Sequence, residues 1–162
     1  MLSSAIAINQ FQMIGFQKIA ADISEESLFE PAAGHQHLPA WILGHLAITG
    51  EMGQQLLGGT MQHPQWLRHF APGSSGQVSP EDSLTKASLV SAVEEAYSGL
   101  QTMAANPELA ERYSQEHGQD FFAGTPIKTV ADLTTLLLTN HFGFHLAQLS
   151  SCRREAGFPP LF

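Results

Sequence analysis

Two histidines four residues apart, His141 and His145, and a third far upstream, His45, are the side chains in this sequence best suited to chemistry. Residues spaced by four project from one face of a helix, one turn above the other. Leu133, Leu137, His141, His145 and Leu149 form such a row, so the two imidazoles point where leucines point. His45 stands between Ile42 and Thr49 on a second apolar seam. An imidazole among apolar groups is costly unless something coordinates it or hydrogen-bonds to it. Two ligands from one helix and one from another make a facial three-nitrogen set, as a divalent metal with open positions requires. The plainer alternative for each is a core histidine bonded to a backbone carbonyl or a water. The segment is not the HExxH of zinc peptidases, because Phe142 stands where that motif has its general-base glutamate.

Four periodic segments are available to position these rings. The first runs from about Ser4 to Ile23, with Ile6, Asn9, Met13, Phe16 and Ala20 on its seam. The second runs from about Pro39 to Leu57, started by a first-turn proline and stopped by Gly58-Gly59. The third is expected from about Pro80 to Ala105, because Ser79-Pro80-Glu81-Asp82 reads as a cap, a first-turn proline and two acids at the positive end of the dipole. The fourth runs from about Val130 to Ala156, with Thr129 and Asp132 forming a capping box. Residues 58–79 and 106–128 are long connections, the first with a short turn at Gln65–Phe70, the second with a short helix at Pro107–Tyr113. TPIKTV is the one short strand candidate. The expected fold is a single all-α domain over residues 1–162, an antiparallel four-helix bundle with a long crossover.

Composition narrows the function. Seven Lys and Arg against fifteen Asp and Glu give a net charge of −8, and no basic tract appears. A nucleic-acid partner is therefore not expected, and a DNA-binding stress protein conflicts with the charge. No apolar run reaches transmembrane length. The first residues lack a basic region and are broken by Asn9, Gln10 and Gln12, so a signal peptide is not expected. Cys152 is the one cysteine, which precludes an intrachain disulfide and fits a reducing compartment; the cytoplasm is the expected location.

WILGHLA in an early helix, followed far downstream by HxxxHxxQL (His141 to Leu149) and by Arg154-Glu155-Ala156-Gly157, resembles the DinB/YfiT-like superfamily. The resemblance spans the first helix to Gly157. It implies a four-helix bundle with a long crossover and a divalent metal bound by His45, His141 and His145. The superfamily includes thiol-dependent S-transferases and a maleylpyruvate isomerase. The resemblance thus implies a metal-dependent transferase using a low-molecular-weight thiol, or a hydrolase, acting on a small molecule. Three imidazoles suit zinc or nickel first, iron or manganese next. The alternative is a non-catalytic, stress-related or structural dimeric helical protein whose metal is structural or absent. Where the family often carries Arg-Gly after the second helix-four histidine, this chain has Leu146-Ala147. With Phe142 and Phe144 nearby, that makes an apolar site the expectation.

Other residues divide between roles at the site and ordinary ones. His35 and His37 line the mouth or add a fourth ligand, or else are loop groups. Gln148 orients a ligand or a bound water, or is a plain polar contact. Asn9 does the same from across the fold, or fixes helix register. Arg153 and Arg154 clamp an anionic substrate, or complement a helix C-terminus; Arg154 and Gln148 are the catalytic candidates. Cys152 is a reactive thiol or an inert buried one. His63, His69 and His117 are expected at the surface, and Trp41 and Trp66 in the core or at a pocket rim. Low charge leaves room for an exposed apolar face and a homodimer.

Overall fold

Every long periodic segment forms a helix in the computed structural model, which describes residues 2–31, 37–79 and 83–161. The elements are α1 (Ser3–Asp22), α2 (Pro39–Leu56), the single turn α3 (Leu67–Phe70), α4 (Lys86–Ala105), α5 (Val130–Leu136) and α6 (Phe142–Glu155). Between α5 and α6 the chain makes a π-helical turn, Leu137–His141, so the fourth segment is one rod with a widened centre. Short 3₁₀ segments at Glu26–Phe29, Pro64–Trp66, Pro107–Ser114 and Asp120–Phe122 occupy the connections. The protein is all-helical among the described residues; TPIKTV contributes only an isolated bridge between Glu116 and Thr129. None of these helices is long and apolar enough to cross a membrane.

α4 begins six residues later than its sequence signals indicate. Pro80, Glu81 and Asp82 lie outside the described residues, and the helix starts at Lys86 behind Thr85. Thr85 and Ser88 form a reciprocal capping box there, in which each side-chain oxygen accepts from the other's backbone N–H. That closed pair satisfies two N-terminal donors, whereas Ser83, between the two sites, takes a left-handed φ of 58° that no helix can include. The box at Thr129 and Asp132 forms as read from sequence, with the Asp132 carboxylate accepting from Thr129 N–H at 2.9 Å. These amide bonds hold the Asp132 carboxyl below its ordinary range.

α1 and α2 each pack against both α4 and the α6 rod, so the four rods close a ring in which α1 faces α2 across the diagonal. The α2–α4 contact is the tightest because small residues line it. A Cβ on Gly50 would meet the Ala96 methyl at 2.9 Å, and one on Gly53 would meet Leu100 at 2.9 Å. The ring encloses one continuous core that includes Phe16, Ile42, Leu46, Val93, Tyr97, Leu138 and Phe142. Edge-to-face contacts of Phe142 with Tyr97 (4.5 Å) and with Phe16 (6.0 Å) tie the fourth rod to α4 and α1. Asn9 is fully buried on α1 and accepts from Gln101 Nε2 on α4 at 2.7 Å. That bond ties α1 to α4, as an asparagine that fixes helix register does.

Candidate metal centre

His45, His141 and His145 converge. One ring nitrogen from each lies within 4.8 Å of the other two, and among the described residues these three are the side chains that gather in this way. Ring centroids are 5.1 Å apart for His45 and His141, 4.7 Å for His45 and His145, and 4.6 Å for His141 and His145. His45 comes from the middle of α2. His141 is the last residue of the π turn and His145 lies one turn into α6.

Hydrogen bonds settle which nitrogens face inward. His45 Nδ1 lies 2.6 Å from the Phe70 carbonyl, which can only accept, so that nitrogen carries the proton and Nε2 keeps its lone pair. His145 Nδ1 donates to Gln148 Oε1 at 2.8 Å, which leaves its Nε2 bare as well. His141 Nε2 is 3.1 Å from His45 Nε2, and its Nδ1 is buried without a partner. A carbonyl or amide oxygen behind the distal nitrogen is the arrangement that orients metal-ligating imidazoles. The donor set therefore fits a divalent ion: three neutral nitrogens, two with fixed tautomers.

Electrostatics keep the rings neutral. Burial, then the neighbouring His145 and His45, push His141 down to about 3. Burial and His45 push His145 down to about 4, against the raising effect of the Gln148 bond. His45 is also lowered, chiefly by burial, although the Phe70 carbonyl opposes this. A neutral imidazole is the form that ligates. The same shifts bear on stability. The unfolded chain takes up protons below about pH 6.5, whereas native His145 resists until about pH 4 and His141 until about pH 3. In metal-free protein their contribution is therefore complete above about pH 6.5 and is lost as acid titrates toward pH 3. Urea melts of the chelated protein should show a midpoint that declines across that window. A His141→Leu, His145→Leu variant should show a visibly shallower decline, and equal slopes would refute this origin.

The surroundings show why the sequence folds this way locally. Trp41, one turn before His45, stacks on it at 4.6 Å and is anchored by its indole N–H to the His69 carbonyl at 2.9 Å. His37 stacks on the other side of Trp41 at 3.7 Å. It lies outside the converging group and belongs to this ring stack, which is neither a fourth ligand nor a solvated loop. His35 lies outside the described residues. Gly44 lets the Phe70 ring lie against α2, since a Cβ there would fall 2.4 Å from that ring. Phe70 and Gly44 are the supporting residues that sequence reasoning missed. The glycine directly before His45 in WILGHLA was the available signal. Gln12 on α1 donates to the Thr139 carbonyl of the π turn at 3.2 Å, its amide fitting where a Cβ on Gly143 would stand.

A cavity of about 670 Å³ opens against His45 and His141, walled by side chains from α2, the π-containing rod and the Asp120–Phe122 turn. Its apolar character comes from residues such as Met52, Leu133, Leu137 and Phe122. Phe142 instead fills the core and Phe144 faces outward, because neither shares the helix face of the two histidines.

The remaining candidates sit elsewhere. Arg153 is buried, donating to Asp22 at 2.6 Å and to the Pro159 carbonyl, so it clasps the C-terminal segment. Arg154 is exposed on the last turn of α6 and does not line the cavity. Burial, with Glu155 nearby, pushes the Cys152 thiol up, as for an unreactive cysteine. His63 is not a free surface group: its Nδ1 is 2.6 Å from the buried Glu51 carboxylate, which also accepts from the N–H groups of Gln62 and His63. His117 Nδ1 accepts from Gln119 N–H, and His69 Nε2 accepts from Arg68. Trp41 is buried, and Trp66 is half-buried against His63. No family model matches the chain, and a search of curated proteins finds no match either.

Proposed function

We propose that this chain is a DinB/YfiT-like four-helix bundle that holds a divalent metal ion through His45, His141 and His145 and transfers a small thiol to an organic acceptor. The observation that carries the proposal is the convergence of three neutral ring nitrogens, two of them from His45 and His141 on the wall of a cavity large enough for a small molecule. When bound, a zinc or nickel ion supplies Lewis acidity that brings a thiol's pKa toward neutrality.

The chain's residues do the rest. His45 is aimed by Phe70 and braced by Trp41, and His145 is aimed by Gln148. Leu133, Leu137 and Met52 exclude water from the acceptor. Hydrolysis of a peptide would need a protein base and acid near the scissile bond. Among the described residues no Asp, Glu or Lys lines the cavity, which supports thiol transfer over peptide hydrolysis.

The second reading is a non-catalytic dimer with a structural metal. It draws on Ile8, Phe11 and Ile14 of α1 and Phe144 of α6, large apolar side chains left exposed. The lone, buried Cys152 suits a reducing compartment such as the cytoplasm. Elemental analysis after dialysis against zinc or nickel should give about one ion per chain. The loaded protein, mixed with cysteine and 1-chloro-2,4-dinitrobenzene, should consume thiol and release chloride faster than the chelated protein. Retention of the ion without thiol consumption would leave the structural reading standing; absence of bound ion would remove the transferase and leave a dimer without a metal.

A further inference from the structure

Among the described residues, the cavity beside the histidines carries no charged side chain. None of the seven Lys and Arg of the chain lines it, and neither does any described Asp or Glu. Arg153, the buried cation, is held by Asp22. The polar groups other than the two imidazoles are Thr49 and the amides of Gln55 and Gln119. Thr49 is spent on backbone, donating to the His45 carbonyl at 2.7 Å. The volume of about 670 Å³ lies within the usual range of small-molecule sites. At one edge stands Phe121, which is 82% exposed although it is a large apolar ring, set edge-to-face on Phe122 at 5.1 Å. A ring left in water beside an apolar hollow lacks a partner that a ligand would supply.

We propose that this cavity takes a neutral, largely apolar small molecule as the acceptor, gripped between Met52 and Leu137 on one side and Phe121 and Phe122 on the other. The assignment of this molecule as an acceptor rests on the metal-centre reading above; the choice of a neutral ligand rests on the lining alone. Beyond the reach of an ion held by the histidines, an anion would give up its hydration with no cationic side chain to replace it. The amides of Gln55 and Gln119 can each donate to and accept from one uncharged polar group, which gives the ligand a direction.

A matched pair of fluorophores tests this: N-phenyl-1-naphthylamine, and its sulfonate, 1-anilinonaphthalene-8-sulfonate. On chelated protein, where no metal charge attracts the sulfonate, the neutral probe should bind saturably, at least about tenfold more tightly than the sulfonate. Phe121→Ser, a change at an exposed position, and Met52→Glu should each weaken it several-fold. Phe11→Ser, on the exposed α1 face, should leave it unchanged. Cobalt in place of zinc should quench the bound probe, since His45 and His141 form part of the wall. Equal or tighter sulfonate binding overturns the proposal, as does indifference of the neutral probe to both cavity variants. Zinc content is measured on the same preparations after loading. Probe discrimination without bound zinc therefore condemns the metal reading alone, and bound zinc without discrimination condemns the neutral ligand alone.

Discussion

Replacing His45 with alanine is expected to lower zinc affinity by two to three powers of ten. A structural zinc site contributes about 10–16 kcal/mol of binding through four ligands, so one ligand in such a set accounts for about 3–4 kcal/mol, and each 1.4 kcal/mol is about tenfold. His141→Leu should do the same to affinity but little to the metal-free fold. It removes the buried Nδ1 that has no partner, and it also removes the Nε2 that lies 3.1 Å from His45 Nε2. Relief of the first and loss of the second are of similar size, about 1–3 kcal/mol each, and oppose one another. Thermal melts with excess chelator should therefore place His141→Leu near the wild type, and melts with zinc should place it below. His45→Ala, which abandons the Phe70 carbonyl, should melt lower under both conditions. If both histidine variants bind zinc as the parent does, the centre is misassigned.

Gly44→Ala tests the support beneath the ligand. The added methyl would fall 2.4–2.6 Å from three atoms of the Phe70 ring, which is fully buried and cannot swing into solvent. Overpacking of this kind costs about 1–3 kcal/mol. The shift also carries away the Phe70 carbonyl that fixes the His45 tautomer, and loss of such a partner typically costs about 10–100-fold in metal affinity. Zinc titration and melting of Gly44→Ala should show both losses. Gly44→Ala combined with Phe70→Leu should recover part of the stability. An unchanged zinc affinity would mean that the carbonyl does not orient His45.

How much of this could be read beforehand follows from the range of each interaction. The three histidines were legible because helix period four is local: Leu133, Leu149 and the rings between them announce a face without knowledge of any neighbour. The Thr129–Asp132 box is likewise complete within four residues. The start of α4 was misread because two capping signals lie six residues apart, and only the path of the chain decides between them. Phe70 was invisible because its contribution is a backbone carbonyl, which any residue type carries; its contact with His45 spans 25 positions. His63 looked like a loop residue because Glu51, which holds it, is buried on α2 and stands 12 positions earlier in the chain. Arg153 was readable as a helix-end cation, but its partner Asp22 is 131 positions away.

The π turn at Leu137–His141 has a consequence for how the fourth rod is wound. Such a turn closes its hydrogen bonds over five residues where an α-helix uses four, and so absorbs about one extra residue. The twelve steps from Leu133 to His145 then advance about as far around the axis as eleven ordinary ones, close to three whole revolutions. Wound evenly, twelve steps would leave the two about a third of a revolution out of phase. The imidazole downstream thus shares an azimuth with the leucine upstream by virtue of that local slack. A change that let residues 137–141 rewind to the common pitch would turn His145 away from α2 with every ligand still in the chain.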